Sequence, residues 1–287
     1  MPPAPISHVS DTARWVAVYR AMETERPDAI FHDPYARRLA GPEGEEIVRR
    51  MPKGRAMSWP MVVRTAIMDE ILQREIAARR LDLVLNLAAG LDARPWRLDL
   101  PPALRWVDVD HEPMIAYKTG AMAGERIRCD YRTIAADLAD PEARARTIAT
   151  ATAGAQRGLV ITEGLLVYLH ESDVAGLARD LHAASPLALW MTDLASPGLL
   201  AWSAKSWGKT LSAGNAPFRF GPADAVGFFG GLGWQEIEYR SQFQESLRLN
   251  RTFRFARFWS FVGRYLSSEK RKREMARFSG IALMERA

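Results

Sequence analysis

A glycine turn followed twenty residues later by an acid is the feature of this sequence most suggestive of chemistry. Gly90 comes after an apolar run at residues 81–87, and Asp110 ends the next apolar run. At a strand-to-helix turn, an acid at about this interval accepts hydrogen bonds from the hydroxyl groups of a bound ribose. A carboxylate suits that task because it only accepts hydrogen bonds. The same residues could instead form a tight turn and cap a helix starting near Glu112, so both interpretations stay open.

The composition of this turn argues against a ligand that carries phosphates. It has one glycine where the dinucleotide-binding fingerprint has three, and Pro95 removes one of the backbone N–H groups that a pyrophosphate needs. Ala88 and Gly90 still let a ligand approach the backbone closely. The turn therefore favours a nucleoside ligand without phosphates, such as S-adenosylmethionine, over a nicotinamide dinucleotide.

Composition and charge exclude several other classes of protein. The chain has 287 residues, with 39 Lys and Arg against 34 Asp and Glu, for a net charge of +5. Its one cysteine, Cys129, excludes a disulfide framework and a cysteine-built metal site, so we expect no metal. No stretch approaches the roughly 18 apolar residues of a membrane span, and the first residues carry no secretory signal. We expect a cytoplasmic protein.

The elements that must position the turn alternate between short apolar runs and helical patterns. Buried strands separated by helices predict a mostly parallel sheet covered on both faces. Strands are predicted at residues 81–87, 105–110, 127–131, 159–162, 187–194, 234–239 and 280–286. Helices are predicted at residues 10–24, 59–80, 112–121, 141–153 and 172–184, with another start near Asp33. We expect one α/β unit: a helical cap at 1–80, a sheet domain at 81–287, and a loop insertion at 196–221.

Three segments in this order resemble the leucine carboxyl methyltransferase family, including its bacterial polyketide-type O-methyltransferases. They are VLNLAAGLDARPWRL at 84–98, WVDVD at 106–110 and ITEGLLVYL at 161–169. N-terminal pairs such as Thr12-Ala13 and Arg64-Thr65 add to the similarity, which spans about residues 10–195. The resemblance implies a Rossmann-like class I methyltransferase with a seven-stranded sheet, and S-adenosyl-L-methionine as its cofactor.

The resemblance also implies roles at the adenosine end of the cofactor. Ala88 and Gly90 would lie beside the cofactor, and Asp110 would hold its ribose. Asp137 would accept from the adenine amino group, and Leu138 would pack on the ring. From the sequence alone, a helix cap before Pro141 is the favoured interpretation of Asp137.

At the methionine end, the resemblance implies roles for Arg64, Arg20 and Glu163. Arg64 matches the arginine that grips the methionyl carboxylate, a pairing that suits a planar guanidinium. Arg20 would assist from the first helix. Glu163 would pair with the cofactor's ammonium group or with Arg64. The alternative for Arg64 is a surface position on a long helix.

No catalytic base can be named from the sequence. The five histidines are predicted in helix ends or loops: His8, His32, His111, His170 and His182. A carboxylate acceptor is already ionised at neutral pH, whereas a phenol would benefit from a base. The pattern favours a carboxylate, or a phenol acidified by conjugation.

Aromatic residues of the insertion suggest where the acceptor binds. Trp202, Trp207, Phe218 and Phe220 would suit a flat apolar acceptor if they lie over the active end of the sheet. The family resemblance implies that this acceptor is aromatic or polyketide-like. They could equally close a small separate core. Tyr168 is a candidate pocket wall or a core residue.

Positive charge is concentrated in residues 248–277, which carry a net charge of +8. Arg248, Arg251, Arg254 and Arg257 step by three, which predicts one face of a helix. The interleaved Phe253, Phe255 and Phe258 would be its buried side. The segment could bind nucleic acid, a membrane surface or an acidic substrate. We favour a solvated helix face, with neither nucleic acid nor membrane as partner.

The sequence thus predicts an S-adenosylmethionine-dependent O-methyltransferase that acts on a carboxylate or phenolic oxygen of a small molecule. Two alternatives stay open: methylation of a protein C-terminal carboxylate, and a non-catalytic nucleoside-binding regulator.

Overall fold

A seven-stranded sheet forms the centre of the protein, in the strand order β3-β2-β1-β4-β5-β7-β6. The computed structural model describes residues 10–51, 54–213, 217–258 and 268–287. The first five strands pair in parallel, and β7 runs antiparallel between β5 and β6. The strands are β1 (Leu83–Leu87), β2 (Arg105–Asp110), β3 (Asp130–Ala135), β4 (Gly158–Thr162), β5 (Leu187–Ala195), β6 (Trp234–Ser241) and β7 (Ser279–Arg286). The predicted α/β class with a mostly parallel sheet is confirmed.

Helices precede the sheet and then alternate with its strands. They are α1 (Ser10–Thr24), α2 (Ala36–Arg50), α3 (Trp59–Arg79), α4 (Arg94–Arg97), α5 (Glu112–Ala121), α6 (Pro141–Thr152), α7 (Glu171–Ala183), α8 (Pro197–Ala213), α9 (Ala225–Gly230), α10 (Gln242–Arg248) and α11 (Glu269–Ala276), with short 3₁₀ turns at Gly54–Met57 and Leu166–Tyr168. The helices for which both ends were predicted lie within one residue of those ends. None of the helices in the described ranges has the length and apolarity needed to span a bilayer.

Alternation along each strand sends side chains to two separate cores. Leu85 of β1 faces the core that α6 and α7 cover, where Leu181 is fully buried. Val84 faces the opposite core, which α3 covers with Ile67 and Ile71. Neighbouring residues of a strand point to opposite faces, so a parallel strand buried on both sides is apolar throughout.

A third core joins the N-terminal helices to the turn after β1. Trp15 and Val18 of α1 and Leu39 of α2 pack with Leu91 and Trp96. These helices therefore contact the loop that the sequence marks as a ligand site. The division at residue 80 stays a prediction.

The third strand and the insertion differ from their predictions. β3 starts at Asp130 rather than at residue 127, because an edge strand is only partly buried and its DYRTIA sequence lacks a continuous apolar run. The apolar Ile127 that suggested the earlier start is 41% exposed. The segment predicted as a loop at 196–221 contains the 17-residue helix α8.

The predicted basic helix over residues 248–257 is wrong. Helix α10 ends at Arg248, and Asn250 follows with φ of 54°, a left-handed conformation that asparagine tolerates at helix ends. The phenylalanines predicted to be buried, Phe253, Phe255 and Phe258, are 42%, 62% and 59% exposed. Arg264 lies outside the described residues.

A buried lysine on α5 connects that helix to the middle of β2. The Lys118 Nζ lies 2.7 Å from Asp108 Oδ2, and both residues are fully buried. The Asp108 carboxylate also accepts hydrogen bonds from the side chains of Trp106, Tyr131 and Asn86. Burial and the Asp108 charge raise the pKa of Tyr131, so its hydroxyl stays a donor.

We expect Lys118→Met to lower the free energy of unfolding by about 3 kcal/mol, because the Asp108 carboxylate would stay buried without its cationic partner. Urea unfolding followed by circular dichroism measures this change. Lys270→Met, at an exposed position, is the control and should cost less than about 0.5 kcal/mol. A loss below about 1 kcal/mol for Lys118→Met would contradict the role assigned to the pair.

Candidate functional site

A large cavity of about 1290 Å³ lies at the carboxyl ends of the parallel strands. In an open α/β sheet this is the edge where ligands bind. Of the site residues predicted from the sequence, ten line this cavity: Arg20, Arg64, Ala88, Gly90, Asp110, Asp137, Leu138, Glu163, Tyr168 and Trp202. Trp207 is on helix α8, but its side chain lies outside the described residues. The structure therefore brings residues from separate segments of the chain to one place.

The turn after β1 is held in an unusual backbone conformation by Asp110. Ala88 and Gly90 have φ of 53° and 48°, in the left-handed region. Asp110 Oδ2 accepts a hydrogen bond from the Gly90 amide at 2.7 Å, and Oδ1 accepts from the His111 amide at 2.7 Å. The residue that caps helix α5 is His111, so Asp110 is not its cap. Two carboxylate oxygens offer about four acceptor sites, and Asp110 keeps acceptor capacity toward the cavity.

Close packing against helix α1 explains why the turn carries glycine. A Cβ at Gly90 would lie 3.2 Å from the Cβ of Ala13, tighter than most such contacts, in addition to the strained φ. Arg20 of α1 donates to the Leu91 carbonyl at 2.6 Å and pairs with Asp33 at 2.8 Å. Arg20 thus stabilises the turn through the Leu91 carbonyl and also lines the cavity.

The cavity lining includes a buried guanidinium, that of Arg94, which three carboxylates share. Arg94 is 2% exposed. Its Nε lies 2.6 Å from Asp69 of α3, and its Nη1 lies 2.7 Å from Asp92 and 2.8 Å from Glu163. Burial alone would raise the pKa of Asp92, but Arg94 and other nearby cations hold it well below its ordinary value.

Arg64 of helix α3 pairs with two acids at the ends of β4 and β5. Its Nε lies 2.9 Å from Glu163 and its Nη1 lies 2.9 Å from Asp193. The other oxygen of Asp193 accepts from the Gly164 amide at 2.7 Å. Arg64 is 8% exposed, so the surface alternative is wrong. Burial would raise the pKa of Glu163, but Arg94 and Arg64 outweigh it and keep that carboxyl ionised.

Asp137 and Leu138 follow the edge strand β3 and line the cavity. One oxygen of Asp137 accepts from the Ala139 amide at 2.9 Å. Helix α6 is capped by Asp140, whose side chain accepts from the Glu142 amide. The capping role that the sequence allowed for Asp137 therefore belongs to Asp140.

Aromatic side chains line the rest of the cavity, which we call the aromatic half. They come from helix α3 and from the segments after β5: Trp59, Trp202, Phe218, Phe243, Phe253 and Phe278. Tyr168 lies edge-on to Phe218, with ring centroids 5.6 Å apart. Burial raises the pKa of Tyr168 and keeps its hydroxyl protonated. Phe220 instead packs in the main core against Phe229, as the alternative of a core role allowed.

Sequence reasoning missed Asp69, Asp92, Arg94 and Asp193. These residues could have been found as charged residues within apolar stretches of the sequence. Asp92 and Arg94 belong to the apolar turn segment, and Asp193 interrupts a buried strand. Because buried charges need partners, the sequence alone could have marked these residues as members of ion pairs.

Comparisons with known proteins identify the family of this chain. The family model of leucine carboxyl methyltransferase matches residues 13–182. A Streptomyces avermitilis protein is 34% identical over 247 residues, covering 80% of this chain and 84% of its own length. A Frankia alni protein is 34% identical over 249 residues, covering 80% and 83%. The names of both describe S-adenosyl-L-methionine-dependent methyltransferases.

Two solved structures share the fold at low identity. A Thermobifida fusca protein described as a methyltransferase has a TM-score of 0.62 at 14% identity, covering 98% of this chain and 96% of its own. A DUF574 family protein from Streptomyces avermitilis has a TM-score of 0.61 at 13% identity, with 96% and 97% covered. Because the family model matches more than half of the chain, and the fold agrees, the chain belongs to the leucine carboxyl methyltransferase family and is an S-adenosyl-L-methionine-dependent methyltransferase.

Proposed function

We propose that this methyltransferase transfers a methyl group to an oxygen of a small apolar acceptor, aromatic or polyketide-like, with a carboxylate favoured over a phenol. The observation that carries the proposal is that the cavity lining has two parts. One is the aromatic half, and the other is a charged half at the strand ends, which includes Arg64, Asp110, Asp137 and Glu163. A charged half suits a zwitterionic cofactor, and an aromatic half suits a flat apolar acceptor.

The charged half has groups that fit each polar part of S-adenosylmethionine. Asp110 has spare acceptor capacity for ribose hydroxyls, and Asp137 has a second carboxylate oxygen for the adenine amino group. Leu138 would pack on the adenine ring. The turn at Ala88 and Gly90 gives close access to the backbone.

Arg64 fits the methionyl carboxylate because its donors are only partly used. Its Nε and Nη1 face Glu163 and Asp193, while no hydrogen bond from Nη2 is found to any residue in the described part of the chain. A guanidinium can hold a further carboxylate through such a free N–H group. Glu163, kept ionised by the arginines, would also attract the ammonium group.

The proposed reaction needs no general acid or base from the protein when the acceptor oxygen is already ionised. Bound S-adenosylmethionine supplies a methyl group on a positive sulfur, which an acceptor oxygen takes in one displacement as the sulfur becomes neutral. No His, Cys, Asp or Glu contributes to the aromatic half within the ranges that the structure describes. A carboxylate acceptor needs no base at neutral pH, which supports a carboxylate. The protein would mainly align the reactants and exclude water.

We expect Asp110→Ala and Arg64→Ala each to weaken S-adenosylmethionine binding by about 10- to 150-fold, equivalent to about 1.5–3 kcal/mol for a lost charge-assisted contact. Isothermal titration calorimetry on variants with native circular dichroism measures this. Arg132→Ala, which removes an exposed ion pair with Asp130 away from the cavity, is the control. Unchanged affinity in both site variants would refute the cofactor assignment.

We expect Trp202→Ala and Trp207→Ala to weaken acceptor binding more than cofactor binding, because both tryptophans belong to the helix beside the aromatic half. Steady-state KM for the acceptor and calorimetric affinity for the cofactor separate the two effects. Equal losses in both quantities would show that α8 supports the whole fold rather than the acceptor.

A further inference from the structure

Charge is unevenly distributed around the cavity. The charged half has lining residues of both signs: the acids Asp92, Asp110, Asp137, Glu163, Asp173 and Asp193, and the arginines Arg20, Arg64, Arg94, Arg97 and Arg144. Each of these arginines already pairs with a carboxylate. The charged residues that line the aromatic half, among those the structure describes, are Arg271 and Lys272 of helix α11. The aromatic half therefore has a positive rim that no lining carboxylate of the described ranges offsets.

Most other contacts of the basic segment are internal to the fold. Arg251 pairs with buried Glu23, Arg277 pairs with Glu236, and Arg248 pairs with Glu70 and Glu245. These arginines hold helices and strands together. None of them lines the cavity.

Arg271 and Lys272 differ from those arginines in having weak partners or none. The Arg271 side chain makes no hydrogen bond or ion pair with any residue of the described ranges. Lys272 Nζ lies 2.7 Å from Glu269, but that acid is 77% exposed and does not line the cavity. An exposed pair of this kind contributes little and exchanges readily for another anion.

Apolar side chains line the same cavity as these two cations. Phe253 stacks on Phe243 with ring centroids 6.2 Å apart, and it also contacts Trp59 at 6.2 Å. Met275, on the same helix as Arg271, lines the cavity and is 49% exposed. The apolar body of a ligand could pack on these aromatic rings while an anionic end of the same ligand pairs with Arg271 or Lys272.

We propose that the acceptor is an apolar anion whose negative group is held at the rim by Arg271 and Lys272. This anionic group is separate from the methylated oxygen, because Arg271 is exposed at the rim whereas Arg64 and Glu163 lie in the buried end. Carboxylate, sulfonate and phosphate share the planar or forked oxygens that a guanidinium pairs with. The proposal rests on the assignment of the aromatic half to the acceptor.

A pair of fluorescent probes tests the charge without knowledge of the acceptor. 8-Anilino-1-naphthalenesulfonate and N-phenyl-1-naphthylamine share an apolar frame, and only the first carries a negative group. The double variant Arg271→Gln with Lys272→Gln is compared with Lys270→Gln with Arg273→Gln. The second variant removes the same charges from positions of the same helix that do not line the cavity.

In the native full chain we expect the sulfonate to bind more tightly than the neutral probe. Removing Arg271 and Lys272 should weaken the sulfonate by about 5- to 20-fold and the neutral probe by less than about twofold. The Lys270 and Arg273 variant should bind both probes as the native chain does.

Four outcomes would overturn the proposal: no sulfonate binding by the native chain, unchanged sulfonate affinity in the rim variant, equal losses for both probes, or equal losses in both variants. S-adenosylmethionine affinity, measured by calorimetry on the same variants, is expected to stay native. Absence of cofactor binding by the native chain would instead refute the proposed function, so the two failures are distinguishable.

Discussion

Arg94 is buried among three carboxylates, and the geometry of the candidate site depends on that cluster. Moving a guanidinium from water into the protein interior costs free energy unless ion pairs and hydrogen bonds compensate for its lost hydration. Here Asp69 comes from helix α3, Asp92 from the turn after β1, and Glu163 from the end of β4. Three elements distant in sequence are therefore held at fixed spacing. Arg64 shares Glu163 with Arg94, so the cluster extends to the cavity wall.

The cluster also separates two chemical environments within one cavity. Acids and arginines form ion pairs at the strand ends, and the resulting polar surface fits the zwitterionic ligand of the proposed function. The later part of the chain contributes aromatic rings and the two cations of helix α11. Under the proposed function, this arrangement would let cofactor and acceptor bind side by side, with no acid of the described residues at the acceptor end.

Elements with strong periodicity and full burial were predictable from the sequence, and the others were not. The predicted ends of β2 and α5 are correct, because the apolar run of the strand stops at Asp110 and the helical pattern starts at Glu112. β3 was misplaced because its edge position removes the apolar signal. Residues 249–255 break the expected helix because Asn250 and Phe255 adopt left-handed conformations that side-chain spacing does not reveal. At the site, Gly90 and Asp110 are close as expected, whereas the partners of Arg64 and Arg94 depend on distant segments.

A crystal structure of the protein with S-adenosylhomocysteine tests the central claim most directly. The account predicts the ribose hydroxyls on Asp110, the adenine between Asp137 and Leu138, and the amino-acid carboxylate on Arg64, with the Arg94 cluster unchanged. The sulfur would then face the aromatic half. A ligand bound elsewhere, or one whose carboxylate avoids Arg64 while its ribose avoids Asp110, would contradict the account.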